Sequence, residues 1–384
     1  MRKLYPTRSL LIWPTLPINI YFRNNSSWKP FPLDQDNCRI YSLARQAIWN
    51  SCHTLGLHAG DVVLAPAYHH GSEIEALLQA GLQIRYYEVR DNLEPDPDEL
   101  ETLIGPKVRA LYIIHYLGFP QDAAYWRQWC DEKGLLLIED AAQAFLATQN
   151  GKPVGSFGHM GVFCLYKTYG LPDGGAVITD SSSPYPSGRP NSGFWRAFKR
   201  HINWLATRRK ELGYVHLIIK PLQTRLNRSW NKLNKRTHKE FEIGDVSMPL
   251  SKVTKYLLPK IVDEQTANFR RENYRFLLKH LGDMVPAPFN FLPEGASPFA
   301  FPVEVNNPRD FLARLRLRGV MGLLFWLNPH PSLPVTNFPK SKSLREGVLA
   351  LPVHQELTAE NLQQIVDAVK EARTSSTAQV VSAG

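Results

Sequence analysis

The sequence feature that most constrains the fold is a regular alternation of short apolar runs with amphipathic stretches between residues 41 and 138. Continuous apolar runs of four to six residues are typical of buried strands, and helices connect such strands in crossover units. The pattern predicts an α/β fold with a mostly parallel sheet covered by helices on both faces. The predicted helices cover 41–57, 72–80, 97–103 and 122–133, and the predicted strands cover 62–65, 82–87, 110–115 and 135–138.

Beyond residue 180 the sequence becomes rich in serine and proline, and a different organisation follows. A long helical stretch is predicted over 250–281, a strand over 299–305, and helices over 308–318 and 358–372. We therefore expect a large domain followed by a smaller C-terminal α/β domain. The predicted divisions are an N-terminal arm over 1–40, a large domain over 41–250, a small domain over 251–373 and a flexible tail over 374–384.

Several classes of protein are disfavoured by simple features of the chain. The four cysteines have no paired or metal-like spacing, which favours a reducing compartment and a cytoplasmic location. Pro14 and Pro17 interrupt the apolar run near the N-terminus, so no signal peptide is expected and the segment is interpreted as a docking arm. His69, His70 and His115 lack the spacing of metal ligands, and no metal site is expected.

The net charge of +10 arises from one segment, 189–239, where Lys and Arg number 14 and the single acid is Glu211. Two apolar stripes at helical spacing, beginning at Trp195 and Leu222, predict two amphipathic helices. The stripes could pack on the body and leave the charges solvated. Alternatively, the helices could attract an anionic substrate or lie on an anionic membrane surface at the inner face of the membrane. Nucleic-acid binding is not expected because no recognised reader module is present.

The residues that indicate chemistry follow two of the predicted strands. Asp140 ends the strand that precedes Ala141, and Lys167 lies on a turn that Gly174 and Gly175 follow. Ligands of open parallel sheets bind outside the carboxyl ends of the strands, where both side chains are expected. An amine and a carboxylate are what pyridoxal 5′-phosphate (PLP) needs, the first to form an imine and the second to keep the pyridine nitrogen protonated.

The order of motifs resembles the DegT/DnrJ-type sugar aminotransferases, which are fold type I PLP-dependent enzymes of the aspartate-aminotransferase type. The resemblance covers roughly residues 41–372. Its motifs are Ala-Gly-Asp-Val-Val at 59–63, Ile-His-Tyr-Leu-Gly at 114–118, Ile-Glu-Asp-Ala-Ala-Gln-Ala at 138–144, Gly-Ser-Phe-Gly at 155–158, Lys167 with Gly174 and Gly175, and Leu-Ala-Leu-Pro at 349–352.

The resemblance implies a role for each matching residue. Lys167 matches the lysine that carries PLP as a Schiff base and moves protons in catalysis, and Asp140 matches the partner of the pyridine nitrogen. Gln143 matches the side chain near the cofactor hydroxyl, and His70 the ring that stacks on the pyridine. The phosphate is expected at the turn that ends in Ala44 and Arg45, with Cys164 nearby.

Some positions depart from the family pattern. The phosphate turn, 42–45, has no glycine or threonine, and Cys164 replaces an expected serine. The motif that supplies an asparagine from the neighbouring subunit is Gly-Asp-Val-Ser at 244–247 here. Glu139, beside Asp140, is interpreted as structural, and His115 as a packed histidine near the pocket.

The expected function is amino transfer from an amino acid, with L-glutamate the expected donor, to a keto-sugar on a nucleotide or another anionic carrier. A homodimer is implied by the resemblance. One alternative is a PLP-dependent transferase or lyase for an amino acid or a lipid-like substrate, and another is a non-catalytic regulatory protein with the same fold. A branch of the family that dehydrates sugars has histidine where this chain has Lys167.

Overall fold

The computed structural model describes residues 7–181, 183–211 and 240–381. Its main feature is a seven-stranded sheet built from the first half of the chain, with the strand order β2-β10-β9-β6-β5-β3-β4. Three further short strands, β1, β7 and β8, lie outside this sheet. In chain order the strands are β1 (Leu10–Leu11), β2 (Arg39–Tyr41), β3 (Val62–Pro66), β4 (Gln83–Tyr87), β5 (Val108–Ile114), β6 (Leu136–Asp140), β7 (Thr148–Gln149), β8 (Lys152–Pro153), β9 (Met160–Cys164) and β10 (Gly175–Thr179).

Five consecutive strands of the sheet, β9, β6, β5, β3 and β4, pair in parallel. β10 runs antiparallel to both of its neighbours, β9 and β2. The prediction of a mostly parallel α/β sheet is therefore confirmed. The carboxyl ends of β6 and β9 lie side by side, because Asp140 pairs with Val162 two residues before β9 ends.

The helices of this half of the chain follow the predicted positions, except that the first, predicted over 41–57, covers only Ala44–Cys52. The helix expected from residue 41 begins only at Ala44, because Tyr41 pairs with Gly175 in the sheet. Asp96 caps its helix by accepting a hydrogen bond from the backbone of Asp98. The helices are α1 (Ala44–Cys52), α2 (Ser72–Gln79), α3 (Pro97–Leu103), α4 (Ala123–Lys133) and the single turn α5 (Leu165–Thr168).

The C-terminal region has a small antiparallel sheet of β11 (Phe301–Glu304), β14 (Val348–Leu351) and β13 (Leu323–Leu324). The long helix predicted over 250–281 is wrong as a single element. It is two helices, α7 (Lys252–Ile261) and α8 (Thr266–Leu281), because Val262 is extended and Asp263 accepts a hydrogen bond from the backbone of Gln265. The remaining helices are α9 (Pro308–Leu317), α10 (Pro339–Gly347) and α11 (Ala359–Val381), the last of which passes the tail boundary expected at residue 373.

The N-terminal segment lies on the body of the protein. β1 pairs in parallel with β12 (Val320–Met321) of the C-terminal region. Further along, the carbonyls of Pro14 and Leu16 accept hydrogen bonds from Arg200 and His201. The segment therefore ties the C-terminal region to the helix that carries these two side chains.

That helix, α6 (Phe194–Arg208), lies in the described part of the basic segment, residues 189–211. Its buried side chains are small or polar, for example Ala197 and Asn203, whereas Trp195 is 75 % exposed. The possibility that the first apolar stripe packs on the body is therefore wrong for Trp195, Phe198 and Ile202, which are exposed, whereas Leu205 is half-buried and Leu212 lies outside the described residues. The second stripe, from Leu222 to Leu233, lies outside the described residues. Among the described helices, none is both long and apolar enough to span a bilayer.

Candidate active site

The seven residues predicted for the site line one cavity of about 500 Å³. The cavity lies at the carboxyl ends of β6 and β9 and at the N-terminus of α1, as expected for a parallel sheet. Its wall is completed by the N-terminal arm and the C-terminal region. The seven residues are Ala44, Arg45, His70, Asp140, Gln143, Cys164 and Lys167.

Asp140, the last residue of β6, is held by two hydrogen bonds. Its Oδ1 accepts from the backbone of Ala142 at 2.8 Å, and its Oδ2 accepts from the hydroxyl of Tyr112 at 2.8 Å. Burial raises the pKa of the carboxyl, the negative charge of Glu73 raises it further, and the positive charge of Lys167 acts in the opposite direction. A cation placed against Asp140 would therefore relieve an unfavourable buried charge.

Lys167 lies in the turn α5, immediately after β9. Its Nζ lies 6.0 Å from the ring centroid of Phe299, and its backbone carbonyl accepts a hydrogen bond from Arg270. Burial raises the pKa of Cys164, an effect that the charge of Lys167 partly offsets. The Cys164 thiol therefore stays protonated at neutral pH, which favours packing or a ligand contact over a nucleophilic role.

His70 follows β3 and precedes α2. Its Nδ1 lies 3.2 Å from the Ser72 hydroxyl, and its backbone nitrogen donates to Glu73 at 2.9 Å. Burial and the nearby charge of Lys167 lower the pKa of His70 to about 4, although Glu240 acts in the opposite direction. The imidazole is therefore neutral near pH 7, as suits a ring that stacks on a ligand.

The N-terminus of α1 reaches the cavity because a glycine on the adjacent strand leaves room for it. A Cβ at Gly175 would overlap the backbone nitrogen of Ala44. Arg45 is held in place by donating to the carbonyls of Glu240 and Glu242, both at 2.9 Å. First-turn amides and the helix dipole make such an N-terminus an anion site.

Gln143 follows β6 and lines the cavity. Its Oε1 accepts a hydrogen bond from the backbone of Leu117 at 2.8 Å. With the oxygen engaged, the side chain presents its NH₂ group, a donor, to the cavity.

Two polar residues near the strand ends lie away from the cavity. His115 and Glu139 are fully buried, and His115 Nε2 is 3.1 Å from Glu139 Oε2. The Glu139 carboxylate also accepts from the backbone of Gly155 and Phe157. Glu139 therefore holds the loop that follows β8, and His115 links Glu139 to the backbone of Gln121.

The motif at 244–247 forms a turn of its own. The carboxylate of Asp245 accepts from the backbone and the hydroxyl of Ser247, which lowers its pKa. Gln46 and Asn50 of α1 hold this turn through the carbonyls of Asp245 and Val246. In this chain the Asp245 side chain stabilises its own loop.

Several cavity residues are missed by the sequence patterns. Trp13 comes from the N-terminal arm and contacts the rings of Tyr166 and Phe299, with centroids 6.3 and 5.4 Å away. No local signal could identify it, because its place depends on the pairing of β1 with a distant strand. Glu73 carries a recognisable signal, since an acid in the first turn of a helix accepts preceding backbone amides. The other missed residues include Glu240, Arg316, Trp326 and Asn328.

Comparisons with known proteins agree with this geometry. Residues 40–185, which contain β3 to β10 and all seven predicted site residues, match the DegT/DnrJ/EryC1/StrS aminotransferase family. The chain is 32 % identical over 130 residues to GDP-perosamine synthase of Vibrio cholerae, covering 33 % of this chain and 35 % of that protein. It is 34 % identical over 131 residues to dTDP-3-amino-3,4,6-trideoxy-alpha-D-glucose transaminase of Streptomyces venezuelae, covering 33 % and 34 %. These matches span about a third of each relative.

The likeness in three dimensions is more extensive. The aminotransferase TlmJ from Streptoalloteichus hindustanus superposes with a TM-score of 0.63 over 89 % of this chain and 87 % of TlmJ, at 20 % identity. This likeness confirms the predicted fold, that of PLP-dependent sugar aminotransferases. Over residues 40–185, the chain is therefore similar to the DegT/DnrJ/EryC1/StrS aminotransferase family.

Proposed function

We propose that this protein is a PLP-dependent aminotransferase that moves an amino group from an amino acid to a keto-sugar on an anionic carrier. The observation that carries the proposal is the convergence of Lys167 and Asp140 in one cavity, at the ends of adjacent strands. Two curated relatives of the matched segment are named for nucleotide-linked sugars, which supports the substrate class. We take L-glutamate as the donor and a nucleotide as the carrier.

The donor set fits PLP. Lys167 supplies the amine that would hold the aldehyde, and buried Asp140 supplies the carboxylate for a protonated pyridine nitrogen. The N-terminus of α1, at Ala44 and Arg45, suits the phosphate, the Gln143 NH₂ group suits the ring hydroxyl, and neutral His70 suits the ring face. Bound there, PLP would supply an electron sink for the bonds at the substrate α-carbon.

The chain's own groups would perform the remaining tasks. Once a substrate amine has displaced it, the Nζ of Lys167 would act as a base that removes a proton from the substrate α-carbon. The same group would then act as an acid and donate that proton later in the reaction. Tyr112 and the backbone of Ala142 would keep Asp140 ionised and in place. Arg316, which lines the cavity, and Arg45 offer positive charge for a phosphate group of the carrier.

We also propose that the enzyme is a cytoplasmic homodimer. All four cysteines are free thiols, and three of them are buried, which supports a reducing location.

The dimer follows from the family resemblance, and sedimentation velocity of the purified protein tests it. A monomer that nevertheless transaminates would contradict it.

The decisive experiment is the visible spectrum of the PLP-loaded protein before and after addition of L-glutamate. We expect a visible band that Lys167→Ala removes and that Lys152→Ala, a matched change at an exposed lysine, leaves intact. Glutamate should convert the band to that of the pyridoxamine form. If no amino donor changes the band, the result would favour the alternative of a PLP-dependent transferase or lyase. If the protein binds no PLP, the result would favour the non-catalytic alternative.

A further inference from the structure

Large apolar side chains are concentrated on three segments that contact one another. Of the thirteen that are exposed in the described part of the chain, eight lie on residues 18–22, on α6 and on α7. Phe22 is 88 % exposed, and Phe194 and Phe198 stack on successive turns of α6. The eight are Ile18, Tyr21, Phe22, Phe194, Trp195, Phe198, Ile202 and Tyr256. We call this set the aromatic face.

Direct contacts join the three segments into one surface. The Tyr21 hydroxyl lies 2.9 Å from His201 Nε2 of α6, and the Tyr21 ring stacks on Tyr256 of α7 at 6.3 Å. Lys260 donates to the carbonyl of Arg23 at 2.7 Å. The aromatic face is therefore a built feature of the fold and not a set of unrelated side chains.

Within its three segments the aromatic face carries charge of one sign, although Glu356 of the C-terminal region lies near Arg23 and Arg208. The sequence over 18–29, 189–210 and 250–262 contains no aspartate or glutamate. The nearest acids along the chain, Glu211, Asp263 and Glu264, follow the ends of these segments. The exposed bases on the segments are Arg23, Lys29, Arg189, Arg196, Lys199, Arg208, Arg209, Lys210, Lys252 and Lys255.

We propose that the aromatic face and its basic rim dock this protein on an anionic lipid bilayer. An exposed helix with aromatic residues on one side and Lys and Arg beside them is typical of segments that lie in the membrane interface. Trp and Tyr favour that interface, and lysine and arginine are attracted by anionic headgroups. The surface differs from the segment predicted by sequence, since residues 18–22 and α7 belong to it.

Charge complementarity favours the bilayer over a second copy of the chain. A two-fold contact places the same patch on both subunits, so this one would set the bases of three acid-free segments against one another, and Glu356 beside Arg23 and Arg208 would offset only part of that charge. A sheet of anionic headgroups provides the missing charge. The inference goes beyond the proposed function and does not depend on the chemistry of Lys167.

The aromatic face is connected to the cavity by a short stretch of chain. Trp13 lines the cavity, and the next residues, Pro14 and Leu16, are hydrogen-bonded to α6. The segment then reaches Ile18, where the aromatic face begins. A bilayer bound at this face would therefore lie next to the arm that forms part of the cavity wall.

The test is flotation of the full-length protein with vesicles. We expect binding to vesicles of phosphatidylcholine with phosphatidylglycerol, little binding to phosphatidylcholine alone, and binding about tenfold weaker at high salt because salt screens the bases. The double change Trp195→Glu with Phe198→Glu should weaken binding by about tenfold or more, since it puts charge where apolar surface enters the interface. The matched control is Tyr125→Glu with Phe291→Glu, two exposed aromatic residues outside the aromatic face.

A second variant, Arg196→Glu with Lys199→Glu, keeps every aromatic side chain and should also lose binding. Circular dichroism and thermal melting would verify that each variant is folded. The proposal is overturned if the wild type does not bind anionic vesicles at low salt, or if the control variant loses binding equally. It is also overturned if the Trp195 and Phe198 change alters the oligomeric state in sedimentation without altering vesicle binding, since a second copy would then cover the face.

Discussion

The hydroxyl of Tyr112 donates a hydrogen bond to Oδ2 of Asp140 at 2.8 Å, and both groups are buried. Tyr112 lies on β5 and Asp140 on β6, so the hydrogen bond joins two adjacent parallel strands. Because the bond favours the ionised carboxylate, it supports the form of Asp140 that a protonated pyridine nitrogen needs.

We therefore expect Tyr112→Phe to weaken PLP binding by about tenfold, which corresponds to about 1.5 kcal/mol for a hydrogen bond to a charged group. An absorbance titration with PLP measures the effect. Tyr87→Phe is the matched control, because the buried Tyr87 hydroxyl donates to a backbone carbonyl and not to a carboxylate. Equal losses in the two variants would mean that the effect is structural.

Trp13 offers a prediction about the substrate. If the proposed function is right, Trp13→Ala should raise the KM for the sugar nucleotide by about fivefold with little change in kcat, since it removes an aromatic surface worth about 1 kcal/mol. Steady-state kinetics measure both constants. The control Trp28→Ala changes a half-buried tryptophan outside this cavity. A fall in kcat with unchanged KM would contradict a role in substrate binding.

Arg345 holds together three chain segments around the cavity. Its guanidinium donates to the carbonyls of Ala67, His69 and Trp326, at 2.6, 2.9 and 2.5 Å. Arg345→Met should lower the free energy of unfolding by roughly 3 kcal/mol, because it leaves buried carbonyls without donors.

Urea unfolding measures the loss, and Arg345→Lys should recover part of it through one remaining bond. Lys340→Met, a change on the same helix, α10, in an exposed ion pair with Asp91, should leave the midpoint unchanged. A stable Arg345→Met protein would show that the segments are held by packing alone.

The stability of the protein should fall on mild acidification. Burial, followed by the charge of Arg270, lowers the pKa of His354 to about 3. The hydrogen bonds explain the preference for the neutral ring, since one nitrogen lies 3.1 Å from the carbonyl of Leu11 and the other accepts from the backbone of Glu356.

The unfolded chain binds this proton near pH 6.5, whereas the folded chain binds it only near pH 3. Stability is therefore lost as the pH falls below 6.5, by about 2 kcal/mol for this residue between pH 7 and pH 5. In His354→Gln the difference in unfolding free energy between the two pH values should be smaller by that amount. Urea unfolding of His354→Gln and of His58→Gln, a change at an exposed histidine, tests the prediction. An equal pH dependence in both variants would contradict it.

A structural feature of this protein can be predicted from the sequence when residues close together along the chain determine it, and cannot when distant residues do. The strands and helices between residues 62 and 140 could be predicted, because each is encoded by a local apolar period. The start of α1 could not, because Tyr41 becomes a strand residue only by pairing with Gly175. The break after α7 depends on the extended backbone of Val262, which a continuous helical pattern conceals.

The same distinction applies to the site. Asp140 and Lys167 could be placed together because strand ends meet at one edge of a parallel sheet, and all seven predicted residues line the cavity. Their individual roles stay predictions. In the sequence, Tyr112 has the pattern of an ordinary core residue and Trp13 that of an arm residue. Their contributions to the site could not be predicted because they arise from tertiary contacts that no local pattern indicates.

The pairing of β1 with β12 has a consequence for the order of assembly during synthesis. Leu10 leaves the ribosome roughly three hundred residues before Val320, its partner in the pair. Until then the arm has no strand to pair with, and Trp13 cannot take its place beside Tyr166 and Phe299. The cavity wall thus closes only after nearly all of the chain has been made, and a truncated nascent chain has an open cavity.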